Sequence, residues 1–289
     1  MRSAEKTNAI VLKVVDFSET SCVVTLFTRE FGKLSALAKG ARRPKSSFEA
    51  ALDVLSICRV VFLRKSGDSL HLLTEAQLER RFRAAAFSLS RLYAAYYVAE
   101  LLSRLTEDLD VHPRLFDFAE DTLRRLDPGG DARSVHSGDT GEVMASYLEV
   151  QLILLQFQMG ILSLLGHFPL MDRCCECAVG VDSGRISFGL NDGGLLCEKC
   201  RRSKRHLVSL SGEANLLLRE QANLGYARDR AARSEELRGK NAGGLAQLPL
   251  GEVRGLLDQY LAHLLGQLPR MVSYCRERQF ASAAYPGAS

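Results

Sequence analysis

The 289-residue chain lacks the motifs on which common catalytic chemistries depend. No glycine-rich phosphate loop ends in Lys-Ser or Lys-Thr, and no Gly-x-Ser-x-Gly elbow occurs. None of the six histidines (His71, His112, His136, His167, His206, His263) falls in a His-Glu-x-x-His pattern. Acidic pairs such as Glu107-Asp108 and Glu120-Asp121 have the spacing of solvated helix faces, so no enzyme is expected. A secretory leader is not visible either: the start, MRSAEKTNAIVLKVVDF, carries Glu5 and Lys6 and then alternates. A cytoplasmic chain is expected, and its eight cysteines read as reduced thiols or metal ligands rather than a disulfide framework. The charge excess is small, +4 with a pI near 8.6, too weak by itself to imply nucleic acid. There is no internal repeat. One apolar run, residues 143–165, is long enough to span a bilayer. It is interrupted by Glu149, Gln151, Gln156 and Gln158 and has no flanking basic cluster, so a buried core helix is expected, and no membrane.

The distribution of charge says more than its sum. Between Arg29 and Phe48 lie six basic residues, Arg29, Lys33, Lys39, Arg42, Arg43 and Lys45, against one acidic residue, Glu30. Four of them crowd the segment LAKGARRPKSSF, where Gly40 and Pro44 break regular structure. This segment sits between apolar, β-branched runs. Strands are predicted at 9–15, 21–28, 33–38, 54–63 and 70–78, with turns at REFG and KSGD. Five strands in about 80 residues fit a small closed barrel, in which closure removes the exposed edges. From Ala84 the period becomes helical: Leu89, Leu92, Tyr93, Tyr96, Tyr97, Glu100, Leu101 and Leu105 predict one helix. His112-Pro113 opens a second, the apolar run forms a third closed by Gly166 and Pro169, and Ser211 is an N-cap for a fourth. A last amphipathic helix is expected over 252–268, its stripe running from Leu256 to Leu268. Two polar segments, 127–141 and 226–247, read as loops.

The segment CCECAVGVDSGRISFGLNDGGLLCEKC contains Cys174-x-x-Cys177 and Cys197-x-x-Cys200 separated by 19 residues. Each CxxC turn aims two thiolates at one metal ion, and two such turns complete a tetrahedron, the arrangement of a zinc ribbon. Four thiolates saturate Zn²⁺ and leave no position for a reacting water, so one structural zinc per chain is expected. Cys175 is a spare thiol. The surrounding Arg173, Lys199, Arg201, Arg202, Lys204 and Arg205 either compensate the negative thiolate cluster or extend a nucleic-acid surface.

Residues 9–48, AIVLKVVDFSETSCVVTLFTREFGKLSALAKGARRPKSSF, resemble the N-terminal signature of the RecO family of bacterial DNA repair proteins. The resembling elements are the I-V-L-K strand, the S-E-T turn at Ser18-Glu19-Thr20, the V-T-L-F-T strand, the F-G-K-L turn and the K-G-A-R-R-P-K-S loop. The likeness continues at LLGHFPLMDRCCEC and at SFGLNDGGLLCEKC and spans residues 8 to 280, weakly in the helices. It implies an α+β multidomain chain: an N-terminal five-stranded OB-fold β-barrel, then an α-helical domain with an embedded four-cysteine zinc-ribbon-like insert. The boundaries expected are 1–82 for a DNA-binding barrel, 83–172 with 206–280 for the helices, 173–205 for the insert and 281–289 for a flexible tail. The resemblance further implies binding to single- and double-stranded DNA and annealing of complementary strands. It also implies work with RecR, and with the acidic tail of single-stranded DNA-binding protein, to bring RecA onto gapped DNA in the bacterial nucleoid.

On this reading Lys39, Arg42, Arg43 and Lys45 meet phosphates, and Arg29 and Lys33 lengthen the track. Phosphate contacts carry no base information, which suits a protein that acts at any sequence. Phe31 and Phe48 are candidates for base stacking or for barrel core. Two other classes fit parts of the pattern: a structural adaptor that does not bind DNA, and a zinc-ribbon RNA-binding protein.

Overall fold

In the computed structural model the described residues are 4–43, 46, 48, 51–65, 70–86, 88–127, 140–181, 186–223 and 249–276. Lys45, most of the expected 127–141 loop, the 226–247 segment and the 281–289 tail lie outside them. Contacts group the chain into two compact units, residues 1–132 with 273–289, and residues 133–272.

The first unit is built on five strands: β1 (Ala4–Asp16), β2 (Cys22–Thr28), β3 (Gly32–Ala38), β4 (Ile57–Leu63) and β5 (His71–Arg80). They close into a barrel in the order β1-β2-β3-β5-β4, the five-stranded Greek-key arrangement of the OB-fold. β1 is longer than its β-branched stretch suggests because it serves two neighbours. Residues 4–10 pair with β4 and residues 9–16 with β2, and a bulge between Val11 and Lys13 bends the strand. Closure comes from a short parallel pairing of β3 with β5, Ala36 opposite His71 to Ala38 opposite Leu73. Alternation on β3 turns Leu34, Ala36 and Ala38 inward, where they meet Val24, Leu26, Val60, Phe62 and Leu73. Phe48 and Ala51, from the β3–β4 connection, complete this core.

Two helices belong to the same unit, α1 (Leu89–Leu105) and α2 (Pro113–Leu126). Ser88 caps α1 by accepting from the Arg91 N–H, and Pro113 supplies the pre-set φ of a first helical turn. The buried face of α1 differs from the predicted stripe. Ala94, Ala95, Tyr97, Val98, Leu101 and Leu102 are buried, whereas Leu89 and Tyr96 are exposed. Apolar residues, twelve of seventeen, occur all round the helix, so periodicity alone did not define the face; the alanines permit closer packing there than Leu89 would. The α1–α2 connection crosses the β2–β3 turn: the Leu109 N–H donates to the Lys33 carbonyl at 2.7 Å. Gly32, at φ +69°, is required at this crossing, since a Cβ would lie 2.1 Å from the Asp110 carbonyl oxygen.

The second unit contains α3 (Thr140–Leu164), α4 (Gly212–Asn223), α5 (Leu250–Leu265) and a three-stranded antiparallel sheet. The sheet is ordered β7 (Gly194–Leu196), β6 (Ile186–Gly189), β8 (Leu207–Leu210). Residues 146–164 of α3 have the length and hydropathy of a membrane span, yet 78% of that window is buried within the protein. Its Gln158 donates to Asp258 on α5 at 2.9 Å, and Arg254 on α5 donates to Gln151, so its interior polar groups meet polar partners. Ser211 caps α4 through the Ala214 N–H, and Glu252 accepts from both the Ser211 N–H and its hydroxyl at 2.6 Å. α5 ends earlier than predicted: Gly266 adopts φ +71° and stops the helix three residues before Pro269, so that Leu268 lies beyond it and is exposed.

Candidate nucleic-acid interface and metal centre

The six expected cations do not form one uniform track. Lys39, Arg42 and Arg43 are exposed on the turn that follows β3. Gly40, at φ +71°, turns the chain there, and the Arg43 N–H donates to the Gly40 carbonyl at 3.0 Å. The turn is fastened to the β1–β2 turn by the Arg42 N–H to Thr20 O (3.0 Å) and the Gly40 N–H to Ser21 Oγ (3.2 Å). Arg42 also pairs with Asp16 at 2.9 Å, both side chains about half exposed or more. Lys45 lies outside the described residues.

Arg29 and Lys33 are engaged by α2 and by the end of α1. Arg29 forms a two-pronged pair with Asp117 of α2, 2.7 Å from Nε and 3.1 Å from a terminal nitrogen. That pairing, with Glu30 beside it, holds its guanidinium even more firmly protonated than usual. Lys33 Nζ donates to Ser103 O in the last turn of α1 at 2.7 Å and to the O of its C-cap, Thr106, at 2.6 Å, and lies 3.4 Å from Asp108. The sequence placed all six together because β2–β3 and β3–β4 are neighbours along the chain. It carried no sign of the helix ends and of Asp117, which engage two of them from 70 to 88 residues away.

The candidate stacking residues Phe31 and Phe48 belong to the barrel core. Phe31 meets Phe62 edge to face at 5.3 Å, and Phe48 is 5% exposed.

The four cysteines of the two CxxC turns converge. The Sγ atoms of Cys174, Cys177, Cys197 and Cys200 all lie within 4.8 Å of one another, and Cys177 and Cys197 are 3.7 Å apart. A tetrahedral Zn–thiolate site, with bonds of about 2.3 Å, places its sulfurs roughly 3.8 Å apart, so the group can hold a metal ion of that size. The backbone explains the convergence. Residues 170–175 run beside β7, with Leu195 N–H to Leu170 O at 3.0 Å and Cys175 N–H to Leu195 O at 2.8 Å. The first turn closes with Ala178 N–H to Cys174 O and Cys174 N–H to Val179 O, and Ala178 takes φ +57° to do so. The second closes with Arg201 N–H to Cys197 O. Cys175 points away from the cluster, toward Gly194, and burial raises its thiol pKa. The register expected from the spacing, Cys174 rather than Cys175, is the one the geometry brings together.

Proton affinities at the cluster are split, with Cys174 and Cys197 lowered and Cys177 and Cys200 raised. Burial alone would raise Cys174, but N–H groups of Cys177, Cys197 and Glu176 outweigh it and bring the thiol down to about 6. Cys197 is lowered chiefly by the Cys200 N–H, whereas hydrogen bonds with Cys197 and Cys177 push Cys200 up to about 12. Crowded thiolates cannot all ionise without a cation between them. The nearby basic residues pair mostly with carboxylates: Arg201 with Glu198 at 2.6 Å, and Lys204 with Glu176 and Asp192 at 2.6 and 2.7 Å. Arg173 pairs with Asp172 at 3.0 Å.

Comparison with known proteins identifies the family. The family model described as "Recombination protein O N terminal" matches residues 1–82, and that described as "Recombination protein O C terminal" matches residues 86–137 and 142–272. The DNA repair protein RecO of Rhodopirellula baltica is 40% identical over 284 residues, covering 93% of this chain and 98% of that protein. The DNA repair protein RecO of Anaeromyxobacter sp. is 33% identical over 264 residues, covering 91% and 92%. That of Myxococcus xanthus is 31% identical over 270 residues, covering 92% and 95%. With both halves matched and relatives aligned over nearly their full length, the chain belongs to the RecO family of DNA repair proteins.

Proposed function

We propose that this protein is a recombination mediator. It binds single- and double-stranded DNA, anneals complementary strands and, together with RecR, helps place RecA on single strands covered by single-stranded DNA-binding protein. Its place of action is the bacterial nucleoid. The observation that carries the DNA-binding part is the exposed cationic turn of Lys39, Arg42 and Arg43, pinned to the rim of an OB barrel. OB barrels take single strands across such faces and loops. The contact set is Lys39, Arg42, Arg43 and Lys45; Arg29 and Lys33 instead join α2 and the end of α1 to the barrel.

No chemical step is needed for annealing. Two strands held on one cationic surface repel each other less and meet at raised local concentration. Contacts confined to phosphates leave base edges free to pair. Zn²⁺ held by Cys174, Cys177, Cys197 and Cys200 supplies a cross-link that a sheet of three short strands lacks. Its four-thiolate shell leaves no open coordination position.

The test is fluorescence-monitored annealing of two complementary oligonucleotides across a salt series, with an Arg42→Ala/Arg43→Ala variant checked for folding and zinc content. Acceleration that weakens with salt and falls in the variant is expected. Full acceleration in the variant removes the turn from the site. No binding or annealing at low salt removes the DNA reading and leaves a protein-docking adaptor.

A further inference from the structure

The aromatic residue that faces solvent beside the cationic turn is neither of the two expected from the sequence. It is Phe17, which follows β1 and is 63% exposed, the most exposed large apolar side chain among the described residues. Its neighbour Val15 is also exposed, at 45%. The aromatic rings of the barrel itself, Phe27, Phe31 and Phe62, are packed against one another, against α2 or against His71. Nothing in the barrel core requires a phenyl ring at position 17.

The backbone around Phe17 is a fixed turn. The Phe17 and Ser18 N–H groups both donate to Ser21 O, at 3.0 and 3.1 Å, and the Ser21 N–H donates back to Ser18 O. The same turn receives the Arg42 N–H on Thr20 and the Gly40 N–H on Ser21. Asp16, adjacent to Phe17, pairs with Arg42, so the carboxylate is neutralised by a cation of the proposed DNA-contacting set. Glu19 is the other acidic group on the turn and is exposed. The turn that carries this solvent-facing ring is thus joined by three polar contacts to the turn that carries Lys39, Arg42 and Arg43. Single-strand sites combine a backbone-tracking cationic groove with aromatic faces for the bases in this way.

We propose that Phe17 is a base-stacking platform that makes this site favour single-stranded over double-stranded nucleic acid. The inference rests on the DNA-binding reading above and adds the group that tells the two substrates apart. The cations see phosphates in either form. The ring gains only when a base is unstacked and available, which duplex DNA does not offer. Release of the stack as two bases pair would also free an annealed duplex from the site.

The chain contains no tryptophan, so Phe17→Trp places a single fluorescent reporter on the turn. Titration with oligothymidylate is expected to quench that fluorescence. Phe17→Ala and Phe17→Leu, each checked for an unchanged melting temperature, are expected to lose about 5- to 20-fold in single-strand affinity, toward the lower end of one base–aromatic stack. Leucine keeps an apolar side chain but no π-face, so it should not rescue. Duplex affinity and the salt slope are expected to stay as they are, since no charge is removed. Unchanged single-strand affinity in both variants, with Arg42→Ala/Arg43→Ala still weakening binding, overturns the stacking role while the DNA reading stands. Altered sedimentation of the DNA-free Phe17→Ala protein with unchanged DNA affinity also overturns it and assigns the ring to a contact between copies. No DNA binding by the unaltered protein at low salt removes both.

Discussion

Replacing Lys33 with methionine separates a structural cation from a DNA-contacting one. The side chain is 14% exposed, and its ammonium donates to Ser103 O and Thr106 O, two carbonyls that the end of α1 leaves without intrahelical partners. Hydrogen bonds to charged groups contribute about 1.5–3 kcal/mol each. Methionine keeps the length of the stem but donates nothing, so both carbonyls lose their cation and the favourable charge at the helix C-terminus goes with it. Two opposing effects reduce the sum: a partly buried charge no longer has to be desolvated, and water reaches the site in part. A net loss of about 2–3 kcal/mol is expected. In a unit of this size each kcal/mol moves the midpoint by about 2–4 °C, so the first unfolding transition should fall by roughly 5–10 °C. Calorimetry measures that shift, and DNA titration at several salt concentrations measures the other half of the claim. Single-strand affinity at low temperature, and its slope against log salt, should remain those of the unaltered protein. A Lys33→Met protein that melts normally and whose salt slope falls by about 0.7 would refute the structural assignment and return Lys33 to the phosphate track.

Other residues give independent checks. Cys177→Ser or Cys200→Ser should abolish binding of one zinc per chain and lower the melting point of the second unit, whereas Cys175→Ser should leave both unchanged; elemental analysis with calorimetry reads the difference. Gly32→Ala should destabilise the first unit by more than about 3 kcal/mol, because the positive φ and the approach to Asp110 O are both violated, as a chemical-denaturation midpoint would show. His71 is buried, its Nδ1 accepts from the Lys65 N–H at 3.2 Å, and burial with Arg64 and Lys65 nearby lowers its pKa. Its contribution is therefore present above the unfolded-state value of about 6.5 and lost as pH falls from there through the lowered folded value. His71→Asn should flatten the fall in denaturant stability between pH 7 and pH 5.

The barrel was legible because its strands alternate. Gly32, Leu34, Ala36 and Ala38 mark one face of β3, and turn residues bound each run, so five strands and closure follow from local pattern. The four-cysteine cluster was legible for a similar reason: CxxC spacing is a local geometric constraint, and the separation of the pairs matches one hairpin. Where burial depends on partners distant in sequence, the pattern fell short. The apolar residues of α1 surround the helix, so only packing selects Ala94 and Leu101 over Leu89 and Tyr96. Arg29 and Lys33 look like Arg42 and Arg43 in sequence; Asp117 and the end of α1 distinguish them. Phe17, Phe31 and Phe48 are equivalent as residue types, and the folded barrel buries Phe48, half-buries Phe31 against Phe62 and leaves Phe17 exposed. The end of α5 at Gly266 could have been read, since a glycine after a leucine-rich stripe is a common helix stop.

The salt dependence of single-strand binding tests the central claim most directly. The four proposed phosphate contacts, by Lys39, Arg42, Arg43 and Lys45, would give a slope of log K against log salt of about −3 for single strands. In the Arg42→Ala/Arg43→Ala protein the slope should shrink by about 1.4, to near −1.5. That result would place DNA on the turn beside the OB barrel. An unchanged slope in the double variant, or a slope near zero in the unaltered protein, would contradict it.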